Sequence, residues 1–385
     1  MGTLARITQI PYNLAVFVDL KKAFDTVDFS ILINKLEHYG FRGKSNIWFQ
    51  NYLTNRKQYV CYNDHNSDLS TITCGVPQGS VLGPLLFILY INDLPNCSNF
   101  TKLLFADDTT LQLSGNSISE LERTAKLELT KVSDWFRANL LTLNIKKTKY
   151  ILFSPPKKSS VAQNFSLFID DVEIDRVGER SSEKSFKFVG FHIDESLSWK
   201  YHLNQVMRNL SYANYTIARL KNFLPMSIRK TLYTSLFQTH IDYSIIAIGA
   251  LPKYKLKPLI NIQKKCLRNV ANVDQFHGSN ILLHKFSVLK LDDLFRSACN
   301  KFVYKFHRNQ LPRSFDSFLI PMGSYNRTNS FITKKTKSKF LEQFPTHFLP
   351  QMWNCNNLEI KLAPNLRSVR KIHFNTCMKN YSKND

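Results

Sequence analysis

Thr101 to Leu113, TKLLFADDTTLQL, limits what this chain can be more than any other stretch. Leu103, Leu104 and Phe105 have the pattern of a short buried strand, and Thr109, Leu111 and Leu113 restart one by alternation. Asp107 and Asp108 are therefore expected at the tip of a β-hairpin. Adjacent carboxylates flanked by apolar strand repel each other, and a divalent cation relieves that repulsion. Two other Asp-Asp pairs show the ordinary meanings of the motif. Asp170-Asp171 reads as a hairpin turn facing water. Asp292-Asp293 reads as the first turn of a helix, where acids suit the helix dipole. A solvated turn is the default for any one such pair, so the rest of the chain must decide for Asp107 and Asp108.

Charge is unevenly spread. Residues 1–115 carry nine Lys or Arg against nine Asp or Glu, and the remainder carries 43 against 20, for a net charge of +23. A neutral half bearing an acid pair, followed by a basic half, suits a catalytic domain joined to one that holds a polyanion. A generally basic soluble protein, or one that meets an acidic membrane surface, has the same balance. The longest apolar run, near Val81 to Ile91, is too short to cross a bilayer. Seven scattered cysteines with no C-x-x-C read as reduced thiols in an intracellular protein, with nucleus and cytoplasm both open.

In order, Leu14 to Leu20 reads as a buried strand ending in Asp19, and Ser30 to Tyr39 as a helix stopped by Gly40. A second helix is expected over Lys44 to Leu53. KQYVCYN and LSTITCGV alternate like the strands of a hairpin. Gly75, Pro77 and Gly79 form a loop before a buried helix over Leu85 to Ile91. After the acid hairpin come an amphipathic helix over Ile118 to Asn139 and a strand over Thr148 to Phe153. FSLFIDDVEID and FKFVGFHID read as strands, and everything past Trp199 as helical and basic. Strand ends converge on a sheet edge, so Asp19 is expected to face Asp107 and Asp108. Three carboxylates on one rim suit two Mg²⁺ ions about 3.5–4 Å apart and in-line attack at phosphorus. The plainer reading of Asp19 is a strand-end acid paired with Lys21 or Lys22.

FVDLKKAFDTVD, GVPQGSVLGPLLFILYINDL, LLFADDTTL, WFRANLLTLNIKKTKYILF and FKFVGFHIDESLSWKYHL stand in the order of polymerase motifs A to E. On these five the chain resembles the reverse transcriptase of a non-LTR (LINE-type, Jockey-like) retrotransposon. The resemblance implies an α/β (α+β) right-hand palm with a mixed or antiparallel sheet over residues 1–198. A helical thumb-like region (199–270) and a basic C-terminal region (271–385) would follow. It implies an RNA-directed DNA polymerase that uses an RNA template, a DNA primer and deoxynucleoside triphosphates. The metal would be two Mg²⁺ ions, with Mn²⁺ as an alternative. No membrane or known protein partner is implied.

Residue by residue, the resemblance makes Asp19, Asp107 and Asp108 the metal-site carboxylates and Phe24 the steric gate against a 2′-OH. Gln78 and Gly79 would lie beside template and nucleotide. Lys147 would protonate the departing pyrophosphate, and Gly190 would support the primer end. Arg208, Arg219 and Lys221 would meet phosphates. Each has a plainer reading: Phe24 as core, Lys147 as one cation of a solvated run, Gly190 as a bulge. Tyr201, Tyr212 and Tyr215 read chiefly as packing residues. The tail, with SYNRTNS, KKTKSK (334–339) and Trp353-Asn354, has no assigned chemistry beyond contact with nucleic acid or a solvated surface. Family members carry a fingers region before motif A that grips the triphosphate, and an endonuclease before that. Thirteen residues do not supply the fingers, so weak nucleotide binding is expected. The alternative is therefore an inactive remnant that only binds RNA or an RNA-DNA duplex. A remnant with no nucleic-acid role fits the charge distribution least.

Overall fold

The computed structural model describes residues 12–154, 165–316, 318–323, 329–333, 335–336 and 340–383. Most of SYNRTNS and of KKTKSK lies outside the described residues. The described chain forms two compact units, one of residues 12–185 with 194–196 and one of 186–193 with residues from 197 onward.

The first unit is built on strand β1 (Tyr12–Val18), every residue of which is buried. Its neighbours are β7 (Asp108–Gly115) and β8 (Lys149–Phe153), both antiparallel to it. β6 (Thr101–Phe105) pairs with β7, and the short β11 (Asp175–Arg176) runs parallel to β8. The order β11-β8-β1-β7-β6 is thus a mixed five-stranded sheet. Leu14, Val16 and Val18 alternate into one core with Leu111, Tyr150 and Leu152. That core also takes apolar residues of α1 (Phe29–His38), α3 (Leu82–Ile91) and α4 (Ile118–Ala138).

The helices begin and end where their caps dictate. Asp28 accepts from Ile31 N at the start of α1, and Gly40, with φ +96°, ends it. Ser117 accepts from Glu120 N at the start of α4. Lys35 Nζ donates to Asp93 Oδ1 and to Tyr90 O, both at 2.6 Å, tying α1 to the end of α3. α2 spans Lys44–Leu53, as its pattern suggests. KQYVCYN and LSTITCGV pair only through two-residue ladders. Lys57–Gln58 (β2) meets Ser70–Thr71 (β5), and Cys61–Tyr62 (β3) meets His65–Asn66 (β4) across a turn at Asn63-Asp64. Asp170-Asp171 does form a hairpin turn, between β9 (Phe168–Ile169) and β10 (Val172–Glu173). Asp170 does not simply face water: it accepts from Ser133 Oγ at 3.1 Å and pairs with Arg137 at 3.0 Å.

The second unit is helical. It contains α5 (Lys200–Leu220), α6 (Met226–Leu232), α7 (Thr239–Ile248), α8 (Lys253–Ala271), α9 (Ser279–Phe286), α10 (Leu291–His307), α11 (Pro345–Asn354), α12 (Leu358–Lys361) and α13 (Leu366–Lys383). Residues 199–270 and 271–385, expected as separate regions, contribute to one hydrophobic core. Asp292 and Asp293 stand in the first turn of α10 as expected. Trp353 and Asn354 are internal staples. Trp353 Nε1 donates to Asn329 O at 2.7 Å, and the Asn354 side chain bonds both N and O of Phe331.

The hairpin β12 (Phe186–Phe188) and β13 (Phe191–Ile193) belongs to this unit as well. Phe191 stacks on Tyr243 at 5.0 Å and lies 4.9 Å from the ring of His202, which is 3% exposed. Neither ring nitrogen of His202 has a hydrogen-bond partner among the described residues. Burial pushes its pKa down from 6.5 to about 4, with the charge of His192 acting in the same direction. The unfolded chain therefore binds a proton below pH 6.5 that the folded chain refuses until about pH 4. Stability present above pH 6.5 should fall as pH drops through that window, by about 3 kcal/mol for this group alone. Melting temperature against pH checks this. A His202→Phe variant should lose that part of the pH dependence.

Candidate active site

The strand register brings two of the acids near each other. Val18, the last residue of β1, sits opposite Thr109, so Asp19 follows the end of β1 beside the start of β7, near enough for its charge to act on Asp108. Phe105 pairs with Asp108 across a turn made by Ala106 and Asp107, and Ala106 takes a left-handed φ of +51°. Asp107 thus occupies the hairpin tip and Asp108 the first position of β7. The hairpin is held from behind. Lys102 Nζ donates to Pro95 O and Ser98 O, and buried Glu128 accepts from Asn99 N at 2.6 Å.

Asp108 is raised above the usual carboxylate range, first by partial burial, then by the charges of Asp107 and of Asp19. Among the described residues, no three His, Cys, Asp or Glu side chains stand close enough together to hold a metal ion as they are. The donor chemistry nevertheless fits a hard cation. All three offer oxygen only, and their mutual repulsion is what a divalent ion would cancel.

Asp19 is not paired with Lys21 or Lys22 among the described residues. Its contacts run to the segment before β8. Asn144 Nδ2 donates to Asp19 Oδ2 at 2.9 Å, and Asn144 N donates to Asp19 O at 2.9 Å. Asp19 N donates to Thr148 Oγ1 at 3.2 Å. Lys147 lies in that same turn, exposed, with its N–H on Asn144 O at 3.0 Å.

A second cluster follows the strand end. Phe24 is half-buried and packs on Phe87, ring centroids 4.6 Å apart. It packs against the core and stays partly accessible. Phe24 O accepts from Val76 N, and Val27 O accepts from Gly75 N, each at 2.8 Å. Gln78 Nε2 donates to Asp25 Oδ1 at 2.7 Å. Gly75 has φ +89°, and a Cβ there would lie 2.7 Å from Asp25 O, so no side chain fits. Gly79, at φ +80°, faces open space.

The remaining expected residues lie in the helical unit. Gly190 (φ +79°) turns β12 into β13, and a Cβ there would meet the Tyr243 ring at 3.2 Å. Arg208 and Arg219 are exposed on α5, and Lys221, just past its end, is half-buried. Tyr212 and Tyr215 are not packing residues. They are 72% and 56% exposed, because spacing 208, 212, 215, 219 puts them on the outer stripe of the helix with the two arginines. Arg219 lies over the Tyr215 ring at 5.3 Å. From Ser196 to Val273 the chain carries twelve Lys or Arg and a single acid, Asp242.

Sequence reasoning passed over Asp25, Asn144 and Thr148. Their signals were available: Asp25 sits one residue after the expected gate, and Asn144 and Thr148 frame the expected lysine. The run with a single acid was legible as well.

The crowding of Asp108 has a thermal consequence. In metal-free protein, Asp108→Asn should raise the melting temperature at neutral pH. Millimolar Mg²⁺ should raise that of the wild type and leave Asp107→Ala plus Asp108→Ala unmoved. Calorimetry with and without chelator reads both.

Residues 5–193 match the family model for reverse transcriptase (RNA-dependent DNA polymerase). The RNA-directed DNA polymerase from mobile element jockey of Drosophila melanogaster is 22% identical over 357 residues, 89% of this chain and 37% of that protein. The probable RNA-directed DNA polymerase from transposon BS of the same species is 26% identical over 68% of this chain and 29% of its own length. The corresponding protein of transposon X-element is 24% identical over 77% and 32%. The chain thus spans about a third of the curated relatives it matches. Apo telomerase from Candida tropicalis covers 90% of this chain and 55% of its own at 13% identity and a TM-score of 0.37, a likeness too slight to carry weight. No described helix is long and apolar enough to cross a membrane. From its motif order, its sheet and these relatives, the chain is a member of the reverse transcriptase family, related to the RNA-directed DNA polymerases of non-LTR retrotransposons.

Proposed function

We propose that this chain joins deoxynucleotides to a primer 3′-OH, copying an RNA template. One observation supports the reading: the register of Val18 with Thr109 and of Phe105 with Asp108, which brings Asp19 within electrostatic reach of Asp108, next to Asp107. In this reading Asp19 and Asp107 hold two Mg²⁺ ions, or Mn²⁺, with Asp108 as the adjacent acid. Bound there, the ions would activate the primer oxygen and neutralise charge on the triphosphate. Lys147 extends from a turn anchored on Asp19 and gives its proton to the departing pyrophosphate. Phe24 presents its open edge where a ribose 2′-OH would lie, so the sugar is deoxyribose. Gln78 and Gly79 lie against template and nucleotide, with Gln78 aimed by Asp25. Primer extension on a poly-rA template with Mg²⁺ tests the reading. Wild type should incorporate dTTP, and Asp107→Ala plus Asp108→Ala should fall by at least a thousandfold. Equal incorporation by the two proteins would refute it.

A second reading has its own support. The near absence of acids from Ser196 to Val273, with Arg208 and Arg219 exposed on α5, favours a surface that holds RNA or an RNA-DNA duplex even without synthesis. Such binding releases counterions, so log affinity should fall linearly with log salt. Filter binding should show that slope, and Arg208→Ala plus Arg219→Ala should flatten it by about two. Affinity indifferent to salt would exclude phosphate-driven binding.

A further inference from the structure

Asn144 makes contacts that its place in a turn does not require. Asparagine favours turns because its side chain bonds its own nearby backbone. The Asn144 amide instead crosses to a residue 125 positions away, donating to Asp19 Oδ2 at 2.9 Å. Its backbone adds a second link, Asn144 N to Asp19 O at 2.9 Å. Thr148, fully buried, supplies the third. Its Oγ1 accepts from Asp19 N at 3.2 Å and donates to Asn144 O at 3.0 Å. The N–H, the C=O and one carboxylate oxygen of Asp19 are all held by this pair, which leaves Oδ1 as the oxygen without a partner in that set.

We propose that Asn144 is a positioning residue for nucleotide transfer, acting with Thr148 to fix the rotamer of Asp19 so that Oδ1 faces the other two acids. The assignment rests on Asp19 being a metal ligand. A carboxylate on a strand end has free rotation about χ1 and χ2, and a ligand that rotates binds a cation weakly. An amide donor on one oxygen removes that freedom and leaves the other oxygen for the ion, as donors behind metal ligands do. The same turn carries Lys147, whose N–H rests on Asn144 O. One clamp therefore sets the metal-side acid and the base of the proton donor together.

The test is Mn²⁺ titration of the full chain, read by water-proton relaxation, with no turnover involved. Asn144→Ala should raise the Mn²⁺ dissociation constant at least tenfold, with the far-ultraviolet dichroism of the wild type retained. Thr148→Val, which keeps shape and removes the hydroxyl, should weaken binding in the same direction. Thr148→Ser, which keeps the hydroxyl, should restore it. The Mg²⁺ concentration for half-maximal primer extension should shift upward in Asn144→Ala and Thr148→Val alone. Unchanged Mn²⁺ affinity in both Asn144→Ala and Thr148→Val, with binding lost in Asp107→Ala plus Asp108→Ala, overturns the role of Asn144 and leaves the metal site standing. Binding that survives removal of Asp107 and Asp108 overturns the metal site itself, and the role of Asn144 with it.

Discussion

The site depends on β1 having a strand on each side. Antiparallel pairing to β7 and to β8 leaves it no free edge, and its apolar residues cannot trade faces. A slip of one residue would send Leu14, Val16 and Val18 out of the core and turn Ala15 and Phe17 into it. The register that buries those side chains also fixes which residue follows Val18 and what stands beside it. Burial of hydrocarbon thus decides where Asp19 and Asp108 stand at the end of the sheet, although the carboxylates contribute nothing to that burial.

What gathers at the end of β1 is a set of loops bound to one another by specific hydrogen bonds. The segment from Phe24 to Val27 takes its backbone partners from Gly75 and Val76, and Gly75 is the residue that lets the two backbones touch. The segment from Asn144 to Thr148 takes hold of Asp19 itself. Against this order stands one unfavourable feature, the like charge around Asp108. Like charge held together by surrounding structure is a common feature of functional sites.

Much of this was legible in the sequence, and the reasons differ by residue. The hairpin tip was readable because an apolar run before Asp107-Asp108 and alternation after it leave only a short turn, although β6 is not the buried strand that the run suggests: Leu103 and Phe105 are exposed. α1 and α4 were readable because their apolar residues keep helical spacing and Gly40 stops the first; the N-caps Asp28 and Ser117 emerge only in the structure. The partners of those acids were not, since a hydrogen bond from Asn144 to Asp19 joins residues with no local relation. Tyr212 and Tyr215 were misread for a different reason. Aromatic residues are usually interior, yet Leu203, Val206, Leu210, Ala213 and Ile217 already fill the inward stripe of α5, which leaves 212 and 215 outside. Trp353 and Asn354 gave no signal at all, because what they staple is a distant segment of backbone.

The most direct measurement is a crystal of the protein soaked in Mn²⁺ and examined at the manganese absorption edge. The account predicts an anomalous peak within ligand distance of the Asp19 and Asp107 carboxylates, with Asn144 still bonded to the far oxygen of Asp19. A map with well-ordered side chains at those positions and no peak between them would contradict it.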